Sequence, residues 1–144
     1  MARITIYPTD ENFFADQGAL IIPTRMEDGG ENKGALAVIA RTFPSVPSFV
    51  RNARALGFLK AGSSYVMVLP NGKNLILLGI AAGSQKNTSI RDALASVNNR
   101  IQCFGLSEIA MFAPTREIAN ACRRASQRWP SFASVRIYQS SAHG

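Results

Sequence analysis

Histidine is almost missing from this chain: the only one, His143, lies one residue from the end. That argues against a histidine-based catalytic triad and against a histidine zinc site. Cysteine is nearly as scarce. Cys103 and Cys122 show no CxxC spacing and have no histidine nearby, and each falls at an apolar helical position. Both therefore read as buried free thiols rather than metal ligands, and no cofactor is called for. No apolar run approaches the ~18 residues of a membrane span. The opening stretch MARITIYPTDENFF alternates polar and apolar residues without a cationic-then-apolar secretory pattern, which points to a cytoplasmic protein. Acidic residues are few as well, nine against sixteen Lys and Arg, giving a net charge of +7.

What is present suits a compact core. Hydrophobic residues make up 47% of the chain and charged residues 17%, which argues against disorder. The 144 residues fit one domain, 1–144, with no internal repeat and no linker composition. The positive excess is uneven. From Gln85 onward Lys86, Arg91, Arg100, Arg116, Arg123, Arg124, Arg128 and Arg136 face only Asp92, Glu108 and Glu117. Such a basic half suits a phosphate-bearing partner, nucleotide or nucleic acid, and equally suits a solvated helix surface.

Hydrophobic spacing lays out the elements. Strands are expected at Arg3–Tyr7, at Gly18–Ile22 (a continuous apolar run ended by Pro23), at Tyr65–Leu69, at Leu75–Leu78, at Ile109–Phe112 and at Val135–Tyr138. Asn71-Gly72 between two of these runs predicts a hairpin. Helices are expected over Lys33–Phe43 with Asn32 as N-cap, from Ser48 to Gly57 with Phe49, Ala53 and Leu56 on one stripe, from Ser89 to Phe104, and after Thr115 until Trp129-Pro130. This order implies an α/β fold, a mixed central sheet with helices on both faces. Leu20, Ile22, Val66, Val68, Leu77, Ile109 and Met111 are expected inside it. The loops after Ile22, Leu78 and Phe112 should meet on one rim, where open sheets of this kind bind ligands.

From Asn12 to Tyr65 the chain resembles a macro domain, and within that family the DNA ADP-ribosyl glycohydrolase antitoxins. Asp10-Glu11-Asn12-Phe13-Phe14 is similar to the family's opening turn, with Asn12 at the adenine-reading position. Ala19-Leu20-Ile21-Ile22 matches its next strand, and Lys33-Gly34-Ala35 through Phe43-Pro44 matches its K-G-x-A…FP helix start. Gly62-Ser63-Ser64-Tyr65-Val66 is similar to its glycine-led strand. The resemblance implies a three-layer macro-domain sandwich that binds ADP-ribose or a related nucleotide through Asn12, Phe13, Thr24, Gly29, Gly30, Lys33 and Gly34. It also implies an ADP-ribosyl hydrolase chemistry whose groups here would be Lys86, near the place of the antitoxin lysine, and Asp28 or Glu27 as general base.

Three departures bear on that chemistry. The family's loop asparagine falls near Arg25 or Met26, and neither can supply an amide's paired donor and acceptor. The glycine-rich phosphate loop is replaced by Ala113-Pro114-Thr115-Arg116, where a helix N-terminus at Thr115 and the Arg116 fork form a substitute cradle. Lys86 sits in a loop whose alignment shifts easily. Three readings follow: a nucleotide-binding module, an ADP-ribosyl hydrolase of weak activity, and a nucleic-acid-binding or structural protein that keeps the fold without a working pocket.

Overall fold

A computed structural model of the chain describes residues 2–140; His143 lies outside the described residues. The strands are β1 (Arg3–Tyr7), β2 (Ala19–Arg25), β3 (Ser64–Val68), β4 (Asn74–Ile80), β5 (Glu108–Ala113) and β6 (Ser134–Gln139). The helices are α1 (Ala35–Thr42), α2 (Val46–Ala55), α3 (Lys86–Phe104) and α4 (Arg116–Ser126). The strands form one sheet in the order β1-β6-β5-β2-β4-β3, with only the β3–β4 pair antiparallel. Alternation along β2 divides the core. Ala19 and Ile21 pack with α3 and α4, while Leu20 and Ile22 pack with α1 and α2. Strands buried on both faces lose their polar alternation, so β2 and β4 read as continuous apolar runs.

Several boundaries differ from the sequence expectation. β2 runs through Pro23 to Arg25, although it lies at the centre of the sheet. β5 pairs with β2 only as far as Ile21, so that ladder has ended before the proline's missing N–H would be needed. Asn32 lies in a short 3-10 turn (Gly30–Asn32), and Gly34 takes the N-cap place of α1. Ser89 lies inside α3, which begins at Lys86. Thr115 does cap α4, its hydroxyl accepting the Ile118 N–H at 3.2 Å. Val68 is exposed at the end of the edge strand, where no helix covers it, and Val66 is half-buried. On α2 the buried stripe is Val46, Val50 and Ala53; Phe49 and Leu56 face out.

The two thiols part company. Cys122 is fully buried on α4, and burial pushes its thiol up to about 12. Cys103 is exposed, contrary to expectation. It lies two residues past the buried Ile101, about 200° round α3 from the stripe of Ile90, Leu94, Val97 and Ile101, so it faces away from the sheet. Ellman's reagent should therefore titrate one thiol in the native protein and two in denaturant. Two reactive thiols in the native state would contradict this packing.

Candidate functional site

The connections after β2 and β4 leave the sheet in opposite directions. The first leads to α1 on one face and the second to α3 on the other. Neighbouring parallel strands whose connections diverge this way open a crevice beyond their carboxyl ends, where ligands of α/β sheets bind. The pair stays together up to Arg25 opposite Ile80, and the Met26 N–H donates to the Ile80 carbonyl at 3.1 Å. Beyond that point lies a cleft of about 250 Å³, walled by Arg25, Met26 and Glu27 on one side and by Ile80 to Gly83 with Lys86 on the other.

Each wall is held by specific contacts. Ser89 fixes the second, its hydroxyl accepting the Ala81 N–H at 2.9 Å and donating to the Lys86 carbonyl at 2.8 Å. The first wall needs glycine to fold back. Gly29 takes a φ of +83°, and a Cβ at Gly30 would overlap the Arg25 carbonyl. Glu31 then ties this loop to α2. Its side chain is only 4% exposed, and it accepts from Arg51 Nε at 3.2 Å and Arg54 Nη1 at 3.0 Å. Arg54 Nη1 also donates to the Glu27 carbonyl at 3.0 Å. Burial alone would push the Glu31 carboxyl up, but its own N–H and the two guanidiniums outweigh this and hold it below the usual range.

Charge in the cleft is only loosely committed. Glu27 sits 3.4 Å from Arg25 Nη1 and 3.9 Å from Lys33 Nζ, with all three side chains 43% exposed or more. Pairs of that kind contribute little, so the two cations remain available to an anion.

The other sequence-predicted residues fall as follows. Asn12 is exposed at the surface. Phe13 is fully buried against Phe14, Phe112 and Tyr138, so its side chain belongs to the core and does not offer the ligand a contact. Asp28 projects into solvent, 3.9 Å from Arg54, and Glu27 is the carboxylate that lines the cleft. Gly34 adopts φ +60° and ψ −138°, a conformation close to glycine-only. The Thr115 hydroxyl is already spent on its own helix, and Glu117 in the first turn of α4 offsets the positive end of the dipole.

Thr24 is 2% exposed, and among the described residues its Oγ1 has no hydrogen-bond partner. An unpaired buried hydroxyl costs about 1–3 kcal/mol. Thr24→Val should therefore raise stability by roughly 1 kcal/mol in urea titrations; a loss of that size would mean that the hydroxyl is satisfied.

No sequence family profile and no curated protein matches the chain. Solved structures do. The macrodomain of Mycobacterium tuberculosis DarG superposes with a TM-score of 0.78 at 19% identity, over 96% of this chain and 98% of that one. This is the macrodomain fold. The macrodomain of Thermus aquaticus DarG gives 0.74 at 16% identity over 96% and 97%. Thermosipho africanus DarTG, solved in complex with ADP-ribose, gives 0.78 at 13% identity, over 96% of this chain and 42% of that one.

Within the macrodomain sheet, one buried ion pair escaped the sequence reading. Asp16 precedes β2 and is 4% exposed on its side chain. It accepts from Arg136 Nε and Nη2 at 2.7 Å each, from the Tyr138 hydroxyl at 2.7 Å and from the Gly18 N–H at 2.8 Å. This knot pins the segment carrying Asn12 and Phe13 across the sheet. The signal was Arg136, a charge inside the apolar VRIY strand, which calls for a buried partner.

Proposed function

We propose that this macrodomain binds ADP-ribose or a closely related nucleoside diphosphate at the β2–β4 cleft, and that hydrolysis there is weak or nil. The observation that carries the reading is the cleft itself, with Arg25 and Lys86 facing each other across the carboxyl ends of two diverging strands. Its 250 Å³ lies just under the ~300–1,000 Å³ of small-molecule sites, which fits a diphosphate and one ribose better than the whole ligand. The adenosine end would then lie on the open surface toward Asn12. The ADP-ribose complex of the DarTG neighbour supports the ligand class, since its fold covers 96% of this chain.

The chemistry expected of the cleft is limited. Acceleration requires groups that act on the reacting ribose in the transition state rather than on the ligand throughout. Arg25 and Met26 occupy the wall where a neutral amide would be needed, and an arginine only donates. Lys86 is the cation best placed to meet a developing charge, with Glu27, ahead of Asp28, as the carboxylate within the cleft. A short helix start at Thr115-Arg116 replaces a glycine-rich cradle, so fewer backbone amides reach the phosphates.

The test joins calorimetry with turnover. Wild type should bind ADP-ribose, and Lys86→Ala should bind it about tenfold more weakly, the loss of one charge-assisted hydrogen bond. Release of ADP-ribose from modified DNA or protein should be slow or undetectable, and any release should vanish in Lys86→Ala. Robust release that survives the substitution would show that both site and mechanism are wrong.

A further inference from the structure

A second depression lies away from the strand ends. It is a trough of about 910 Å³ between α3 and α4, on the outer face of the helical layer. Its origin is plain in the sequence. Ala95, Ala121 and Ala125 stand where larger side chains would have filled the seam, so the helices touch while their facing surfaces stay hollow. Trp129 closes the floor, 2% exposed, and among the described residues its indole N–H has no partner.

The lips are polar and positive. Arg91, Arg124 and Arg128 line the trough against a single acid, Glu117, and Asn87, Asn98 and Asn120 supply amides along its length. Among the described residues Arg124 and Arg128 make no ion pair, and Arg91 has only Asp92 at 3.8 Å. By contrast, Arg100 and Arg136 are consumed internally, the first by the Ser64 carbonyl at 2.7 Å and the second by Asp16. The free part of the basic half is thus gathered along α4 and the first turns of α3.

We propose that this trough binds single-stranded nucleic acid through its sugar-phosphate backbone. Uncommitted guanidiniums in a row are what successive phosphates require, and the amides can meet phosphate oxygens or base edges. Between Asn87 and Asn98 the trough extends about 17 Å, at 1.5 Å per residue, which takes a few nucleotides. A single positively lined seam tracks one sugar-phosphate backbone, the arrangement by which single strands are bound. The upper end reaches Asn87, the residue after Lys86, so a bound strand would run toward the nucleotide cleft. The proposal stands without any ligand in that cleft.

The experiment uses fluorescence anisotropy with labelled single-stranded DNA and RNA oligonucleotides of one mixed sequence, near 100 mM salt. Arg124→Glu combined with Arg128→Glu should weaken binding at least tenfold. The slope of log affinity against log salt should flatten by about 1.4, or roughly 0.7 for each lost phosphate contact. Both side chains are exposed, so the melting temperature and the calorimetry with ADP-ribose should stay as in wild type. Trp129 is the only tryptophan, so its emission reports the trough directly and should change with oligonucleotide. Wild type that binds neither oligonucleotide, or a double variant that binds as wild type does, would overturn the proposal. So would polyglutamate binding with equal affinity, which would reassign the trough to acidic protein segments.

Discussion

Asp16→Asn should lower the folding stability by about 3 kcal/mol at neutral pH, with Tm falling on the order of 10 °C. The substitution leaves Arg136, whose side chain is 18% exposed, with only Glu108 at 3.1 Å, because a neutral amide cannot balance its charge. Tyr138, whose hydroxyl is pushed up to about 12 by burial and by Asp16, keeps its proton and loses a charged acceptor. A pH series gives the same interaction a second signature. Burial works to raise the Asp16 carboxyl, but Arg136, the Gly18 N–H and Tyr138 outweigh it and lower the carboxyl from 3.8 to about 2. A carboxylate depressed on folding stabilises the protein above its unfolded value, and that contribution disappears as pH falls through the folded value. Wild type should therefore lose about 2 kcal/mol between roughly pH 5 and pH 2 that Asp16→Asn does not lose. Urea titrations across that window decide the matter: equal losses in both proteins, or a neutral-pH difference below about 1 kcal/mol, would contradict the assignment.

Glu31→Ala should have the next largest effect, and it should reach the cleft. Removing that carboxylate strands Arg54, whose side chain is 17% exposed, beside the loop that forms the first cleft wall. Breaking a buried pair from one side costs about 3–5 kcal/mol, and the partial exposure of Arg51 places this case at the lower end. Arg54 also holds the Glu27 carbonyl, so the loop between β2 and α1 loses its tie to α2. The affinity for ADP-ribose should drop at least tenfold, while oligonucleotide binding in the α3–α4 trough stays unchanged. Glu31→Gln, which keeps an acceptor, should recover part of both losses. A Glu31→Ala protein of wild-type stability and wild-type ADP-ribose affinity would show that the loop does not depend on this contact.

The sheet was legible in the sequence because its central strands are buried on both faces and announce themselves as apolar runs. The hairpin at Asn71-Gly72 was legible for a similarly local reason, a turn that requires positive φ, which Gly72 takes at +85°. Errors arose where burial depends on what lies beyond the element. Phe104 keeps the spacing of the buried stripe on α3 yet is half exposed at the helix end, and Cys103 lies on the opposite face from that stripe. Phe49 and Leu56 sit on α2, but the core meets that helix along Val46, Val50 and Ala53. Pro23 looked like a terminator because the early departure of β5 cannot be read along β2 alone.

The candidate site was legible in outline only. Spacing marked the glycine-bearing loops and the family resemblance marked Lys86, and the fold brings Arg25, Glu27 and Lys86 to one cleft. The groups that hold the cleft open were not legible, since Glu31 meets Arg51 and Arg54 across twenty residues or more of sequence. Asp16 meets Arg136 across 120 residues, a pairing that only the order β6-β5-β2 creates.

The most direct measurement is a titration of the isotope-labelled protein with ADP-ribose, followed by amide chemical shifts. Residues 25–34 and 80–86 should shift together and saturably, with lesser changes near Asn12, while the amides of α4 and the Trp129 indole stay in place. Shifts confined to the α3–α4 trough, or no saturable shift at any residue, would contradict a nucleotide site at the ends of β2 and β4.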